Sequence, residues 1–331
     1  MTQSHPAASV TLADLQAPLR SRLDAVQHEL QRIVAADFGL ITEVNAHLFR
    51  MQGKLFRPTL LLLADEATGG PDRRAETLAA VVELIHLATL VHDDSVDHSV
   101  LRRGLPTINS LFSHQVSVIM GDYLYSRAVI ELVRLDDLEP LRVLGRVTNE
   151  MTIGEMRQLL SHDKLSFDEG AYDLLIRSKT ASLLAGACEV GALGAAPDQR
   201  EALARFGDAL GMVFQIIDDL LDYTEVEAVT GKPSGLDLRE HKVTLPLIAA
   251  LPRLNEAGRR DVAQLMRTEQ PGAEQVARIV QLVTDAGGLE YARERAQQFA
   301  QSADAELDRL PSSPAREALR ASITYVLERR S

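Results

Sequence analysis

Two stretches of this chain decide its fold: Leu90-Val91-His92-Asp93-Asp94-Ser95-Val96-Asp97 and Phe214-Gln215-Ile216-Ile217-Asp218-Asp219-Leu220-Leu221-Asp222. Each is an apolar, helix-like segment that contains the pattern Asp-Asp-x-x-Asp. Positions i and i+4 of a helix share a face, so the first and last aspartates of each pattern point the same way. Like charges on a half-apolar surface are costly unless cations neutralise them. The pattern therefore predicts two helices that face one cavity and hold divalent ions, which in turn could bind a diphosphate.

Composition narrows the class of protein. The 331 residues allow one large helical domain or two ordinary ones, and 46% of them are hydrophobic. Lys and Arg number 35 and Asp and Glu number 47, which gives a formal charge of −12. With 4% aromatic residues and no Trp, this acidic chain is a poor candidate for binding nucleic acid. Cys188 is the single cysteine, so an internal disulfide is excluded and a reducing cytoplasm is the simplest location.

Helical periodicity dominates the chain, and we find no convincing alternating strand pattern. Thr11-Leu12-Ala13-Asp14 predicts a capping box, and Ser313-Pro314 predicts a second helix start. The predicted helices cover about 74–98, 115–133, 138–161, 168–193, 198–222, 244–252, 257–268, 272–286, 288–307 and 314–330. The irregular stretch 225–243 predicts a functional lid, with a simple connector as the alternative. We predict one all-α domain over 1–331. No signal peptide is expected, and no membrane span either, because the apolar stretch 180–196 is short and interrupted.

Basic residues gather near the aspartate patterns. His86 lies two helical turns before Asp93 on nearly the same stripe, although a lone histidine on an apolar helix is more often a core residue. The pair Arg102-Arg103 follows Asp97, and such a pair either forms surface ion pairs or binds phosphate in a bidentate manner. Further cations are Lys54, Arg57, Lys179, Lys232 and Lys242, each of which alone would be an ordinary surface charge. Together they indicate sites for two polyanions, one held through metal and one held directly.

At this point the chain resembles the trans-isoprenyl diphosphate synthases of the polyprenyl synthetase family, from about Gly53 to the C-terminal helix. Five segments match in order: Gly53-Lys54 with Arg57-Pro58; Leu90 to Asp97 with Arg102-Arg103-Gly104; Lys179-Thr180; Phe214 to Asp222; and Gly231-Lys232-Pro233 with Asp237-Leu238 and Lys242 to Pro246. One Asp-Asp-x-x-Asp pattern is weak evidence, whereas five ordered segments are specific. The resemblance implies a single large helical bundle with a central cavity.

The resemblance also implies roles for individual residues. Mg²⁺ ions would be bound by Asp93, Asp97 and Asp218, with Asp94 and Asp222 acting indirectly or through water. The allylic diphosphate would be held by Arg102, Lys179, Thr180, Gln215, Lys232 and Lys242. Isopentenyl diphosphate would be held by Lys54, Arg57, His86 and Arg103. Catalysis would depend chiefly on Asp93, Asp97, Asp218, Lys179 and Lys232.

The implied function is a Mg²⁺-dependent condensation of isopentenyl diphosphate with farnesyl or geranylgeranyl diphosphate, carried out by a cytoplasmic homodimer. No protein nucleophile is required for it. A class I terpene cyclase is one alternative, and Lys54, Arg57, His86 and Arg103 argue against it because a cyclase needs no second diphosphate site. A non-catalytic subunit of a hetero-oligomeric synthase is another, and two complete aspartate patterns argue against that.

Product length depends on the apolar tunnel expected beyond the first aspartate pattern. One helical turn rises about 5.4 Å, close to one isoprene unit, so each unblocked turn admits about one more condensation. Ala88 and Thr89 stand one turn before Asp93, where aromatic residues resemble the plugs of short-chain enzymes. Their small size indicates a long-chain product, with Leu132 and Leu144 as candidates for the tunnel floor or as ordinary core leucines. A short-chain farnesyl or geranylgeranyl diphosphate synthase is the alternative.

Overall fold

A computed structural model describes residues 10–51, 53–69, 72–161, 165–224 and 235–329. The all-α prediction is confirmed, since helices dominate these residues. In the first half of the chain the helices are α1 (Leu12–Gln16), α2 (Arg20–Val34), α3 (Gly39–Arg50), α4 (Phe56–Ala67), α5 (Ala75–Val96), α6 (Ile108–Leu111), α7 (His114–Arg134) and α8 (Leu138–Ser161). Short 3₁₀ turns cover Ala17–Leu19 and Leu251–Arg253.

The second half follows the same plan. Its helices are α9 (Glu169–Ile176), α10 (Ser182–Gly191), α11 (Pro197–Thr224), α12 (Leu236–Arg239), α13 (Leu245–Ala250), α14 (Glu256–Leu265), α15 (Ala273–Asp285), α16 (Gly288–Leu307) and α17 (Pro314–Glu328). The predicted boundaries agree with these helices to within a few residues in most cases. Both predicted helix starts are confirmed: Thr11 and Asp14 form the capping box, and Ser313 caps α17 through the backbone N–H of Arg316.

The helices α5 and α11 form the centre of the bundle. Helix α5 packs against α2, α4 and α7, while α11 packs against α10, α16 and α17. Their buried side chains belong to one hydrophobic cluster that extends from Leu19 to Val326. This continuous core holds the two aspartate patterns on rigid elements.

Helix α5 is the one helix among the described residues that is long and apolar enough to cross a membrane by length and composition. It has 22 residues and a mean hydropathy of 1.4 over its most apolar window, and 67% of that window is buried inside the protein. A helix buried to this extent behaves as the core helix of a bundle.

The structure corrects the sequence predictions at two places. The predicted helix 168–193 is interrupted by a single turn of π-helix at Arg177–Ala181, which we call the π turn. A small antiparallel hairpin pairs Leu101–Arg102 with Leu105–Pro106, although no strand was expected. Its two turn residues, Arg103 and Gly104, have φ values of 52° and 76°. Two successive residues with positive φ are typical of the tight turn that joins two strands.

Candidate active site

The first aspartate cluster, Asp93, Asp94 and Asp97, lies at the C-terminal end of α5. Asp93 faces the π turn, where the Nζ of Lys179 lies 3.7 Å from its carboxylate. Burial raises the pKa of Asp93 to about 6; Lys179 opposes this shift, and the nearby carboxylates of Glu155 and Asp97 add to it. Two carboxylates that repel one another at the edge of the core form a site that favours a cation.

Asp94 has a different position in the same cluster. Its side chain is buried, and both carboxylate oxygens accept hydrogen bonds at 2.9 Å from the Nε of Arg102. The Nη2 of Arg102 lies 2.8 Å from the same carboxylate, so the pair is bidentate. Asp94 therefore anchors the hairpin that carries Arg102 and Arg103 to the end of α5.

The second aspartate cluster, Asp218, Asp219 and Asp222, lies near the C-terminal end of α11. Asp218 is the most exposed of the three, and the Nη2 of Arg329 donates to it at 2.7 Å. Asp219 is buried between two donors, the hydroxyl of Tyr172 at 2.6 Å and the side-chain amide of Gln215 at 2.9 Å. Burial raises the pKa of Asp219 to about 7, although these two hydrogen bonds oppose the shift.

Asp222 fastens the start of α12 to the second aspartate cluster. Its carboxylate accepts hydrogen bonds from the backbone N–H groups of Leu236 and Asp237 at 3.0 and 3.1 Å. The backbone N–H of Gly235, whose φ is 74°, donates to the carbonyl of Asp222 at 2.9 Å. The described part of the predicted lid 225–243, which begins at Gly235, is thus attached to α11. Lys232 and the rest of 225–234 lie outside the described residues, so the lid remains a prediction.

The π turn places Lys179 and Thr180 inside the continuous helical segment that runs from α9 to α10. Two glycines let the neighbouring helices approach it closely. A Cβ on Gly154 of α8 would lie 2.8 Å from the backbone nitrogen of Lys179, and one on Gly211 of α11 would lie 2.4 Å from the Cα of Ala181. Any larger side chain at these positions would displace the turn.

Lys242 links the surroundings of the two aspartate clusters. Its Nζ lies 2.7 Å from the carboxylate of Glu240. Burial lowers the pKa of Lys242, but Glu240 and Asp237 outweigh this effect, with a contribution from Asp97, and the pKa is raised above its ordinary value. The pKa of Lys242 is thus raised both by Asp97 of the first aspartate cluster and by Asp237, whose backbone N–H donates to Asp222 of the second. This supports the prediction that the two clusters face one cavity.

A group of cations, which we call the cationic cluster, comprises Arg57, His86, Arg102 and Arg103. Burial and the charges of the three arginines lower the pKa of His86 well below its ordinary value. Burial also lowers the pKa of Arg57 to about 10, opposed by the buried carboxylate of Glu83, and the buried Nε of Arg57 has no hydrogen-bond partner within the described residues. Such a cluster lacks enough negative charge of its own and favours an anion.

The turn at Gly53 to Leu55 completes this side of the site. The Nη1 of Arg103 donates to the carbonyl of Met51 at 2.9 Å, and a Cβ on Gly53 would lie 2.8 Å from that same nitrogen. Lys54 is exposed, and the amide of Gln16 holds its backbone carbonyl at 2.7 Å. A pocket of about 310 Å³ beside this turn is lined by Gln16, Arg20, Asp24, Gln27 and Lys54 among others, and no residue of the two aspartate patterns lines it.

The four residues proposed to set product length lie in or near the core. Ala88, Leu132 and Leu144 are all at most 3% exposed. Thr89 is half-buried, and its hydroxyl donates to the carbonyl of His86 at 2.8 Å. Thr89 is therefore more exposed than Ala88.

The residues present fit divalent cations, although no group of three His, Cys, Asp or Glu residues among the described residues is close enough to hold a metal ion as it stands. Asp93 and Asp218 each have a basic side chain, Lys179 and Arg329, at the position where a cation would neutralise them. Hard oxygen donors of this kind suit Mg²⁺ or Ca²⁺. The sequence did not identify Tyr172, Glu83, Gln16 or Arg329, because their contacts with the site are tertiary and no motif marks them.

Comparison with known proteins is consistent with this geometry. Residues 39–283 match the family model described as polyprenyl synthetase. The all-trans-nonaprenyl-diphosphate synthase (geranyl-diphosphate specific) of Rhodobacter capsulatus is 38% identical over 92% of this chain and 94% of its own length. The octaprenyl diphosphate synthase of Escherichia coli is 37% identical over 86% of this chain and 88% of its own length.

A solved structure gives the same result. A polyprenyl synthase from Caulobacter crescentus, crystallised with calcium and isoprenyl diphosphate, has a TM-score of 0.93 and 32% identity, covering 98% of this chain and 100% of that one. The fold and the paired aspartate clusters define a trans-prenyltransferase. The chain belongs to the polyprenyl synthetase family, whose reaction condenses isopentenyl diphosphate with an allylic diphosphate, and it is similar to the long-chain synthases.

Proposed function

We propose that α5 and α11 enclose a cavity that binds the allylic diphosphate through Mg²⁺ ions held by Asp93, Asp97 and Asp218. The repulsion between Asp93 and Asp97 supports this assignment. Divalent metal is a property of the family's structures, since the Caulobacter crescentus enzyme was crystallised with calcium. Bound Mg²⁺ would supply positive charge that stabilises the departing diphosphate. Asp94 and Asp222 support the site by holding the hairpin and α12, whereas the direct ligands are the other three aspartates.

The protein's own cations complete the allylic site. Lys179 and Thr180 of the π turn lie beside the first aspartate cluster, and Gln215 accepts a hydrogen bond from the Thr180 hydroxyl at 2.8 Å. We assign Lys179, Thr180, Gln215, Lys242 and Arg102, together with Lys232, to the allylic diphosphate. Preorganised cations at the departing group lower the barrier to ionisation because they stabilise charge that develops in the transition state.

The cationic cluster carries the argument for a second substrate. Burial lowers the pKa values of Arg57, Arg103 and His86, and neighbouring arginines lower them further, while the buried carboxylate of Glu83 opposes the shift at Arg57 and Arg103. An isopentenyl diphosphate bound by Arg57, His86, Arg103 and Lys54 would supply the missing negative charge. A terpene cyclase ionises one diphosphate and has no use for such a cluster, so this observation favours a synthase.

The chemistry needs no covalent attachment to the protein. The allylic cation formed on ionisation is attacked by the alkene of isopentenyl diphosphate, and a proton is then lost, for which the released diphosphate is a suitable acceptor. Cys188 is buried, and burial raises the pKa of its thiol to about 12, so it is not a nucleophile at neutral pH. The residues of the site therefore bind, orient and neutralise charge.

An exposed apolar face supports a homodimer. On α7 it includes Val118, Ile119 and Val133, and on α8 it includes Ile153 and Met156. These positions recur at helical spacing along the side of each helix that faces away from the core, and an apolar face of this extent is unusual on a monomer. We propose that two copies pair through α7 and α8, in the cytoplasm.

One incubation tests the proposed reaction. The protein is mixed with Mg²⁺ and farnesyl diphosphate, with and without isopentenyl diphosphate, and released diphosphate is measured. Release that depends on isopentenyl diphosphate supports the synthase. Release without it would indicate a cyclase, and no release under either condition would indicate a non-catalytic subunit. Mass spectrometry of the product then gives the chain length, for which we propose a long-chain product.

A further inference from the structure

Three hydrogen bonds connect Tyr172 to the π turn. The hydroxyl of Tyr172 donates to Asp219 Oδ2 at 2.6 Å, and the amide of Gln215 donates to Asp219 Oδ1 at 2.9 Å. The hydroxyl of Thr180 then donates to Gln215 Oε1 at 2.8 Å. This chain of contacts, which we call the relay, joins α9, α11 and the π turn through side chains alone.

The relay is buried at one end and open at the other. Tyr172 is 1% exposed and Asp219 is 5% exposed, whereas Thr180 and Gln215 are half-buried. A buried carboxylate needs a donor on each oxygen, because an unsatisfied one costs more free energy than the hydrogen bond gains. With Tyr172 on Oδ2, Asp219 keeps Oδ1 towards Gln215, and this fixes which end of the Gln215 amide faces Thr180.

Two members of the relay, Thr180 and Asp219, are next in sequence to residues assigned to the allylic site. Thr180 follows Lys179, which lies 3.7 Å from Asp93. Asp219 follows Asp218, the exposed carboxylate of the second aspartate cluster. The relay therefore links the two walls of the allylic site, and the Tyr172 hydroxyl acts on them through Asp219.

We propose that Tyr172 is a positioning residue, which holds the π turn and the second aspartate cluster in register for the allylic diphosphate. The proposal rests on the assignment of this wall to the allylic substrate made above. Without the Tyr172 hydroxyl, Asp219 must turn or recruit water to satisfy Oδ2, and Gln215 and Thr180 lose their fixed orientation. Isopentenyl diphosphate binds at the cationic cluster, which the relay does not reach.

The test is the substitution Tyr172→Phe, followed by KM for farnesyl diphosphate and for isopentenyl diphosphate. We expect KM for farnesyl diphosphate to rise by about fivefold to tenfold, the value of one buried hydrogen bond, with KM for isopentenyl diphosphate unchanged. Calorimetric titration with the thiolodiphosphate analogue of farnesyl diphosphate, which does not ionise readily, should show the same loss of affinity.

A matched control exists on the same helix bundle. Tyr291 donates to Glu169 Oε2 at 2.6 Å, the same length and again from a phenol to a carboxylate, and neither residue belongs to the relay. Tyr291→Phe should leave both KM values unchanged. A purely structural role for Tyr172 would lower the melting temperature and change both KM values together, or neither, and either result overturns the proposal. In the double variant Tyr172→Phe with Asp219→Asn, the losses should be far from additive because both residues act through one chain.

A reference variant separates this proposal from the assignment of substrates. Arg57→Ala should raise KM for isopentenyl diphosphate alone. If it does not, while Tyr172→Phe still affects one substrate selectively, the two substrates have been assigned to the wrong walls and the positioning role stands. If Arg57→Ala behaves as expected and Tyr172→Phe shows no selectivity, the positioning role is wrong and the assignment stands.

Discussion

The two aspartate clusters share one sequence pattern and differ in what holds their middle residue. Asp94 of the first aspartate cluster is buried against the charged guanidinium of Arg102, with three contacts of 2.8 to 2.9 Å. Asp219 of the second is buried between neutral donors, Tyr172 and Gln215. One cluster thus relies on an ion pair and the other on neutral hydrogen bonds. The same spacing along a helix can therefore place one aspartate inwards for support and another outwards for binding.

The outer aspartates differ too. Asp93 is largely buried and close to Lys179, whereas Asp218 is exposed and paired with Arg329. Asp97 ends α5 and is exposed, whereas Asp222 accepts the first N–H groups of α12. The first aspartate cluster offers two carboxylates to a ligand, and the second offers chiefly one. We therefore expect substitutions in the two clusters to be distinguished by their effects on activity, stability and product length.

The largest effect should follow from removing one of the carboxylates that we assign to metal binding. Asp93→Ala and Asp218→Ala should each lower kcat by a factor on the order of 100 or more, the usual loss when a group that stabilises the departing charge is removed. Steady-state kinetics measures this, and circular dichroism should show unchanged helicity. Asp198→Ala, an exposed aspartate on the same helix α11, is the matched control. Loss of helicity in Asp93→Ala or Asp218→Ala would mean that the clusters are structural.

The next effect is the pH dependence of stability that arises from Asp93 of the first aspartate cluster. The pKa of Asp93 is raised to about 6, chiefly by burial. A carboxyl whose folded pKa lies above its unfolded value holds its proton more tightly in the folded state, so the metal-free protein should lose stability as pH rises from about 4 to about 6. The contribution of Asp93 to this loss should reach at most about 3 kcal/mol, from about two pKa units. Urea unfolding across this pH range measures it, and Asp93→Asn should flatten that dependence; an unchanged slope in this variant would contradict the assignment to Asp93.

A smaller effect compares the two middle aspartates directly. Asp94→Asn removes the charge that pairs with Arg102 and should cost about 2 kcal/mol of unfolding free energy, since breaking a partly buried ion pair leaves one charge behind. Asp219→Asn should cost about 1 kcal/mol, because neutral donors can be paired with an amide after local rearrangement. Chemical denaturation of both variants gives the difference. Equal costs would mean that burial, and not the partner's charge, sets the stability of these positions.

The subtlest effect concerns product length, because only the first aspartate cluster has small residues one turn before it. Ala88 and Thr89 precede Asp93, whereas Phe214 already occupies the corresponding place before Asp218. Thr89→Phe or Ala88→Phe should shorten the product by about one or more isoprene units while the reaction continues, since one turn corresponds to about one unit. Thin-layer chromatography of radiolabelled products checks this. An unchanged product distribution in both variants would remove this wall from the tunnel.

The sequence predicted those parts of the site that are local. The aspartate patterns, their helices α5 and α11, and the cap at Ser313 all depend on spacing within a few residues, where helix geometry is sufficient. Tyr172 and Asp219 are 47 positions apart, and Asp218 and Arg329 are 111 apart. Contacts over such distances depend on how helices pack, and no local pattern encodes them. The π turn was missed for the same reason, because Gly154 and Gly211 on two other helices make room for it.

Those two glycines have a consequence for engineering. A designer who transfers this active site to another helical scaffold would naturally copy the aspartates, lysines and arginines. In a scaffold with alanine at the equivalents of Gly154 and Gly211, each new methyl group would meet backbone atoms of the π turn at under 3 Å. The transplanted lysine would then be displaced although every ligand had been copied. The minimal portable unit of the site therefore includes two residues that carry no side chain at all.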